Sequence, residues 1–223
     1  MLTYRPHSHV FPRSSHTSFT HVSSPRHGFR TVGIQIDKGH ECHVTDSFLG
    51  QYWWGEHGAD GHGTAAFPLT ATAVVVAGQD HWISGIVVFA ALVGVELQGG
   101  AAVMTNTHIY NGGGASLVVT GQSNRIIGCY FDFDAVILID PVAVEVAHSF
   151  FLGGVGVEVR SSGQPGAFVA GLSISNNQFV SGSADGSLAY GVVVNETAGA
   201  FASVNGTVSE MRDAKRSEWR RVW

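Results

Sequence analysis

The chain has 223 residues, a length that suits one domain, and it carries 12 Lys and Arg residues against 17 Asp and Glu residues. Between Gly39 and Ser209 the only basic side chains are Arg125 and Arg160, which excludes the basic patch that a nucleic-acid partner requires. The sequence holds no uninterrupted apolar run long enough to span a membrane, so no membrane partner is expected.

Residues 1–31 differ in composition from the rest of the chain. Up to Arg30 the segment is rich in His, Ser, Arg and Pro, contains no acid and lacks the apolar core of a secretory signal peptide. We expect it to be disordered or unrelated to the domain that follows, which we place at residues 32–208. Residues 209–223 are charged and break the pattern of that domain, so they are predicted to form a separate tail.

A Gly or Ala followed by an alternating apolar run recurs along residues 32–208. The alternation, as in GVELQ at 94–98, has the period of two that is typical of a half-buried strand. The starts from Ala73 to Gly156 are separated by about 20 to 22 residues, a period typical of a solenoid, once one residue of slippage is allowed at Ala115. The predicted strands, which should stack in one parallel sheet, start at Gly33, Ala73, Gly94, Ala115, Ala135, Gly156 and Gly191.

A second strand-like piece follows in most repeats and ends at a turn-prone residue. Gly, Asn and Asp, and less often His, tolerate the left-handed backbone that a fixed bend requires. The predicted bends lie at Asp46, Gly85, Asn106, Gly128, His148 and Asn176, and an apolar or aromatic residue follows most of them, at Phe48, Val87, Tyr130, Phe150 and Phe179. Short strands joined by a fixed bend predict an all-β fold, a right-handed parallel β-helix of about seven rungs stacked about 4.8 Å apart.

The longest insertion lies between the predicted strands that start at Gly33 and Ala73, and it contains Tyr52, Trp53 and Trp54. Exposed aromatic rings beside polar groups suit the apolar faces of sugar rings, which makes Trp53 and Trp54 candidate substrate-binding residues. Alternatively, the two tryptophans cap the hydrophobic edge of the solenoid. The sequence leaves both interpretations open.

Three stretches carry a resemblance to a known family. They are GIQIDKGHECHVTDSFLGQ at 33–51, GVELQGGAAVMTNTHIYNGG at 94–113 and NRIIGCYFDFDAVILIDPVAVEVAHSFFLGG at 124–154. In order and phrasing they resemble plant polygalacturonase-like proteins of the quartet type, in the pectin-lyase-like β-helix superfamily. The resemblance implies a secreted cell-wall protein that acts on galacturonan, a pectic polysaccharide. Such relatives begin with a signal peptide and further rungs, so a truncated member is expected.

The sequence also departs from that family. Polygalacturonases proper carry an N-T-D motif, an Asp-Asp pair, a G-H-G turn and an R-I-K motif, in that order. Here GHG is present at 61–63, but no N-T-D or Asp-Asp motif precedes it, and RII at 125–127 matches the last motif only in part. We interpret the G-H-G match as a chance loop sequence.

Asp132 and Asp134 are the candidate catalytic residues. Hydrolysis of a glycosidic bond needs two carboxyl groups, which an inverting enzyme keeps about 6.5 to 9.5 Å apart. In an extended segment Asp132 and Asp134 would share one face, about 6.5 to 7 Å apart at the backbone. Alternatively, both are turn residues that accept hydrogen bonds from backbone N–H groups.

Arg160, Glu158 and Arg125 are further candidate substrate-binding residues, because a guanidinium group suits a galacturonate carboxylate. The alternative is that Arg160 forms a surface ion pair. No metal or other cofactor is expected, since His40 and His43 have irregular spacing and no Cys–His cluster completes a site.

Cys42 and Cys129 are predicted to be free, buried thiols. They lie three predicted rungs apart, about 14 Å, and a disulfide needs Cα atoms within about 7 Å of each other. We also expect a monomer.

Three functions follow from these observations. The first is an inverting galacturonan hydrolase, and the second is a non-catalytic β-helix that binds pectin through the segment with Trp53 and Trp54. The third, a polysaccharide lyase, ranks last because the acid clusters that would bind Ca²⁺ are thin.

Overall fold

The computed structural model describes residues 18–20, 32–50, 70–89, 91–110, 114–180 and 190–195. These residues form twenty β-strands and no helix. In chain order the strands are β1 (Ser18–Thr20), β2 (Val32–Ile36), β3 (His43–Thr45), β4 (Phe48–Gly50), β5 (Thr70–Val76), β6 (Trp82–Ser84), β7 (Val87–Phe89), β8 (Ala91–Leu97), β9 (Val103–Thr105), β10 (His108–Tyr110), β11 (Ala115–Val119), β12 (Arg125–Ile127), β13 (Tyr130–Phe133), β14 (Val136–Ile139), β15 (Glu145–Ala147), β16 (Phe150–Gly153), β17 (Val155–Arg160), β18 (Ser173–Ser175), β19 (Gln178–Val180) and β20 (Tyr190–Val194).

The strands form three parallel sheets. Sheet A has the order β2-β5-β8-β11-β14-β17-β20, sheet B the order β1-β3-β6-β9-β12-β15-β18, and sheet C the order β19-β16-β13-β10-β7-β4. Each sheet takes one strand from each successive turn of the chain, which is the architecture of a parallel β-helix. The seven strands predicted from their Gly or Ala starts are the seven strands of sheet A, so the predicted fold class is confirmed.

The core fills the space between the three sheets. Alternating side chains of the strands from β2 onward point inward, and the second residue of each sheet C strand is buried. Along the axis of the β-helix, from β4 to β19, these residues are Leu49, Val88, Ile109, Phe131, Phe151 and Phe179. The last three form a continuous stack, with ring centroids 5.0 Å and 4.8 Å apart.

A column of small residues explains why the repeats open with Gly or Ala. The strand register aligns Gly33, Ala73, Gly94, Ser116, Ala135, Gly156 and Gly191 at the corner between sheets C and A. A Cβ on Gly94 would lie 2.6 Å from Cγ2 of Ile109, and one on Gly156 would lie 2.3 Å from the ring of Phe179. The inward side chains of sheet C occupy this space, so the corner accepts only small residues. Ser116 rather than Ala115 takes the position in its rung, which is the predicted slippage of one residue.

The bends between sheets B and C lie where they were predicted. Asp46, Gly85, Asn106, Gly128, His148 and Asn176 all have left-handed backbone, with φ between 47° and 66°. Buried polar side chains satisfy the backbone at this corner: Asn177 accepts a hydrogen bond from the N–H of Ser149 at 2.8 Å and donates one to the carbonyl of Val146 at 2.9 Å. The apolar residues that follow the bends occupy two positions. Phe48, Val87, Tyr130 and Phe150 open their strands and face outward, whereas Phe179 is central and buried.

Cys42 and Cys129 are both buried, and neither forms a disulfide with the other, as predicted. Cys42 precedes β3 in the first full rung, and Cys129 precedes β13, three rungs further along. Burial raises the pKa of the Cys129 thiol to about 11, so this thiol packs as a small apolar group.

The strand β1 was not predicted. Ser18–Thr20 pairs in parallel with β3 and places Phe19 opposite Val44 at the edge of sheet B. The rest of residues 1–31, and all of residues 209–223, lie outside the described residues, so the predicted domain boundaries stay predictions. Within the described ranges no helix is long and apolar enough to cross a membrane.

Candidate functional site

The outer face of sheet C is rich in aromatic rings. Tyr110 stacks on Phe89 with ring centroids 4.7 Å apart and meets the edge of Phe133 at 5.2 Å. In the neighbouring column Tyr130 stacks on Phe150 at 4.6 Å. Phe133 is 43% exposed and Tyr130 is 37% exposed. Phe89 is buried, so Tyr110, Tyr130, Phe133 and Phe150 form the accessible part of this apolar patch, which spans three consecutive rungs.

A histidine and a carboxylate are set into this surface. His108 opens β10, and the register places it beside Tyr130, with Asp132 the next outward residue of β13. His108 Nε2 lies 2.8 Å from Asp132 Oδ2, and the two side chains are 44% and 8% exposed. Since a carboxylate only accepts, Nε2 carries the proton and donates it. The other oxygen, Oδ1 of Asp132, is buried and has no hydrogen-bond partner among the described residues.

Tyr130 completes the environment of this pair. Its ring meets the His108 ring nearly edge-on, with centroids 4.7 Å apart and an angle of 70°. Burial and the negative charge of Asp132 both raise the pKa of the Tyr130 phenol. The pair therefore lies in a locally apolar setting, where electrostatic interactions are stronger than in water.

The backbone turns sharply between the two candidate catalytic residues. Phe133 has a φ of 73°, and the N–H of Asp134 donates to the carbonyl of Asp132 at 3.0 Å, which together make a γ-turn. Phe133 thus ends β13, and the carboxylate of Asp134 accepts a hydrogen bond from the N–H of Gly114 at 3.1 Å. The expectation of one extended segment through Asp134 is wrong, because the chain leaves the strand at Phe133. The use of both acids in catalysis stays a prediction.

The structure does not bring the other candidate residues to this face. Glu158 and Arg160 lie on sheet A. Arg160 donates a hydrogen bond to Oε2 of Glu158 at 2.6 Å, and Asn195 donates one to Oε1 of Glu158 at 2.6 Å. The hydrogen bond from Arg160 lowers the pKa of Glu158. The surface ion pair considered for Arg160 is therefore confirmed. Arg125 lies on sheet B, beside Glu145 in the register.

Other sequence candidates fall outside the described residues or lie elsewhere. Trp53, Trp54 and the GHG at 61–63 belong to residues 51–69, which connect β4 to β5 and are not described. His40 Nδ1 lies 3.4 Å from Asp80 Oδ2, with both side chains exposed. In the described part of the chain no three His, Cys, Asp or Glu side chains are grouped as metal ligands.

The sequence did not single out His108 or Tyr110, although it held a signal for both. His108 lies two residues after the bend at Asn106, and Tyr130 lies two residues after the bend at Gly128. Counting from the bends places the two side chains next to each other on one face of sheet C. The same count places Tyr110 next to Asp132.

Comparison with known proteins agrees with the sequence resemblance. Polygalacturonase QRT3 of Arabidopsis thaliana is 32% identical to this chain over 163 residues. This chain is polygalacturonase-like. The matched residues make up 70% of the chain and 32% of the relative, so the chain spans about a third of the length of that relative. No protein-family model matches the sequence, and no solved structure matches it.

Proposed function

We propose that this chain binds galacturonan on the outer face of sheet C and hydrolyses it with inversion. The observation that carries the proposal is the His108–Asp132 pair, held at 2.8 Å within a surface of aromatic rings. The similarity to a protein named polygalacturonase supports the choice of substrate. An extracellular, cell-wall location belongs to the same proposal.

The aromatic rings supply the binding surface for the sugar. The apolar faces of pyranose rings stack on aromatic side chains, and each such contact is favourable because it removes apolar surface from water. Tyr110 and Phe133 form one pair of touching rings, backed by the buried Phe89, and Tyr130 with Phe150 forms a second pair. A polysaccharide that lies along the helix axis meets one rung after another of this surface.

Asp132 and Asp134 supply the two carboxyl groups of the proposed reaction. Asp134 gives its proton to the glycosidic oxygen as the bond from that oxygen to the anomeric carbon breaks. Asp132, the ionised carboxylate that accepts the hydrogen bond from His108, takes a proton from the water whose oxygen bonds to the anomeric carbon from the opposite side. Solvent then returns a proton to Asp134 and removes one from Asp132, so the protein is unchanged after each cycle.

The test is the release of reducing ends from polygalacturonate by purified protein. Asp132→Asn and Asp134→Asn should each reduce the rate by about 10²- to 10⁴-fold, the usual contribution of an acid or base. Glu145→Gln, an outward acid on sheet B, is the matched control and should keep the rate. Proton NMR of the first product should show the inverted anomer. Unchanged rates in both Asp variants would refute the assignment.

A non-catalytic pectin-binding role is the second candidate, and the burial of Asp132 Oδ1 favours it, since that oxygen is shielded from solvent. In that case the protein binds oligogalacturonate without releasing reducing ends. A lyase would instead generate an unsaturated product that absorbs in the ultraviolet. The three outcomes are separated by following binding, reducing ends and absorbance in one sample.

A further inference from the structure

Among the residues that the structure describes, His108 is the one side chain on the outer face of sheet C that can become a cation. The described strands of sheet C contain no Lys or Arg. The outward neighbours of His108 are Val87 on β7, Tyr130 on β13, and Tyr110 two residues further along β10, with Asp132 diagonally across. Of these, Tyr110, Tyr130 and Asp132 carry either no charge or a negative charge, and none of them can become a cation. A galacturonate unit on this face therefore meets a positive charge only if His108 is protonated.

The Lys and Arg side chains of the described residues lie on or beside the other two sheets and not on this face. Lys38 follows β2 of sheet A, and Arg125 lies on sheet B. Arg160 on sheet A is held by Glu158. A polyanionic substrate needs a compensating charge where its carboxylates approach a surface, because an unpaired charge next to apolar groups is costly.

The geometry of His108 suits this task. Nε2 is hydrogen-bonded to the more buried Asp132, which fixes the orientation of the ring. Nδ1 is the ring nitrogen that this hydrogen bond does not use, and the ring is half-exposed. In the protonated ring both nitrogens donate, so Nδ1 gains an N–H for a ligand carboxylate.

We infer that protonated His108 binds the free carboxylate of a galacturonate unit, with Asp132 as the residue that positions the ring. The inference rests on the proposed function and adds the part of the substrate that is recognised: a free uronate rather than its methyl ester. Imidazole changes its charge between about pH 5 and pH 8. Binding of the free-acid oligomer therefore strengthens as the pH falls through this range, while binding of the ester does not.

The experiment is a titration of the full chain with a free-acid oligogalacturonate and with its methyl ester, at about pH 5.5 and about pH 8. The uronate carboxylates stay ionised at both values. The free acid should bind about tenfold more tightly at the lower pH, the effect expected for one charge-assisted hydrogen bond. His108→Gln should abolish this difference. His108→Lys, which keeps a cation at both pH values, should bind the free acid tightly at both.

His40→Gln is the matched control, because His40 also contacts an aspartate but does not belong to sheet C. It should leave the pH response as in the wild type. A pH response that persists in His108→Gln, or that is equal for acid and ester, overturns the inference. Binding with the expected pH response but without release of reducing ends refutes hydrolysis and leaves the inference standing. Failure of both oligomers to bind at either pH refutes both.

Discussion

The outer faces of sheets C and A follow the same alternation but present different chemistry. On sheet C the His108–Asp132 pair lies among aromatic rings, and its carboxylate is largely shielded from solvent. On sheet A the carboxylate of the Glu158–Arg160 pair is more open, at 17% exposed against 8% for Asp132, while Arg160 and His108 are both 44% exposed. The register gives Glu158 two aliphatic neighbours, Ile137 and Val193.

The different surroundings of the two polar pairs indicate which pair is better suited to recognise a ligand. Ion pairs between exposed side chains are screened by water and salt and contribute little. A pair in an apolar surface acts in a medium of lower dielectric, where each charge has a larger effect on a bound group. The pair on sheet A stands out in the sequence, as EVR at 158–160, whereas the pair on sheet C becomes visible only once β10 and β13 are in register.

The largest expected effect lies beneath the face of sheet C. Phe131 is 1% exposed and stacks on Phe151 at 5.0 Å, so Phe131→Ala removes one end of the inner stack of phenylalanine rings. We expect a loss of about 3 to 5 kcal/mol in the free energy of unfolding, measured by urea titration. Leu138→Ala, buried beneath sheet A, should cost about 2 to 5 kcal/mol.

Near-ultraviolet circular dichroism separates these two variants. Phe131→Ala should change the aromatic signal of the folded state, because the rings of sheet C rest on that column. Leu138→Ala should leave the signal as it is. A loss below about 1 kcal/mol for Phe131→Ala would contradict the packing described for this face.

The second prediction concerns His81, a buried histidine whose protonation gives the stability of the chain a pH dependence separate from that of binding at His108. His81 is 1% exposed, and its Nδ1 accepts the N–H of Cys42 at 3.0 Å. Its Nε2 is buried and has no hydrogen-bond partner in the described part of the chain. Burial first, and the nearby His40 second, lower the pKa of His81. The unfolded chain therefore takes up this proton first. The stabilising contribution is complete above the unfolded pKa of about 6.5 and is lost as the pH falls below it.

Urea unfolding at about pH 8 and about pH 5.5 measures this effect. The wild type should lose stability towards the lower pH, by at most about 1.4 kcal/mol per pH unit for one proton. His81→Gln should flatten the dependence, while His108→Gln should not. If His81→Gln keeps the full slope, the buried imidazole is not its source.

Much of the fold could be predicted because two local signals repeat in step. The small residue at the corner recurs wherever inward side chains of sheet C need the space, as at Gly94 and Gly156. The left-handed bend recurs at residues that tolerate it, such as Asn106 and Gly128. The strand β1 had no such signal, since SFT at 18–20 is too short to show a period.

The candidate site could be predicted only in part. Asp132 can be identified from the sequence because it is an acid among apolar and aromatic residues in CYFDFDAV. The alternation of FDF, however, indicates a strand that continues through Asp134. Nothing local marks the left-handed backbone of Phe133, since bulky residues seldom adopt it. His108 could not be identified from the sequence because its partner, Asp132, lies 24 residues away along the chain. Only the stacking of rungs brings the two together.

The third prediction tests whether the exposed rings bind sugar. Phe133 touches Tyr110 and is 43% exposed, so Phe133→Ala removes apolar surface from the outer face of sheet C. Binding of free-acid oligogalacturonate should weaken by about 2- to 10-fold, the equivalent of one aromatic contact. Phe168→Ala, an exposed ring outside the three sheets, is the control and should bind as the wild type does. Equal binding by both variants would remove Phe133 from the proposed surface.

The smallest expected effect is on sheet A. Arg160→Ala removes the donor that lowers the pKa of Glu158, so the pKa of that carboxyl should rise towards its ordinary value. A depressed carboxyl pKa stabilises the fold above the unfolded pKa, and this contribution is lost as the pH falls through the folded pKa. For an exposed pair the cost at neutral pH should be only about 0.2 to 1 kcal/mol by urea titration, and less in high salt. Arg125→Ala on sheet B is the control for the loss of one positive charge. If Arg160→Ala instead weakened oligogalacturonate binding as much as His108→Gln does, the uronate would be recognised on sheet A, and the assignment to sheet C would be wrong.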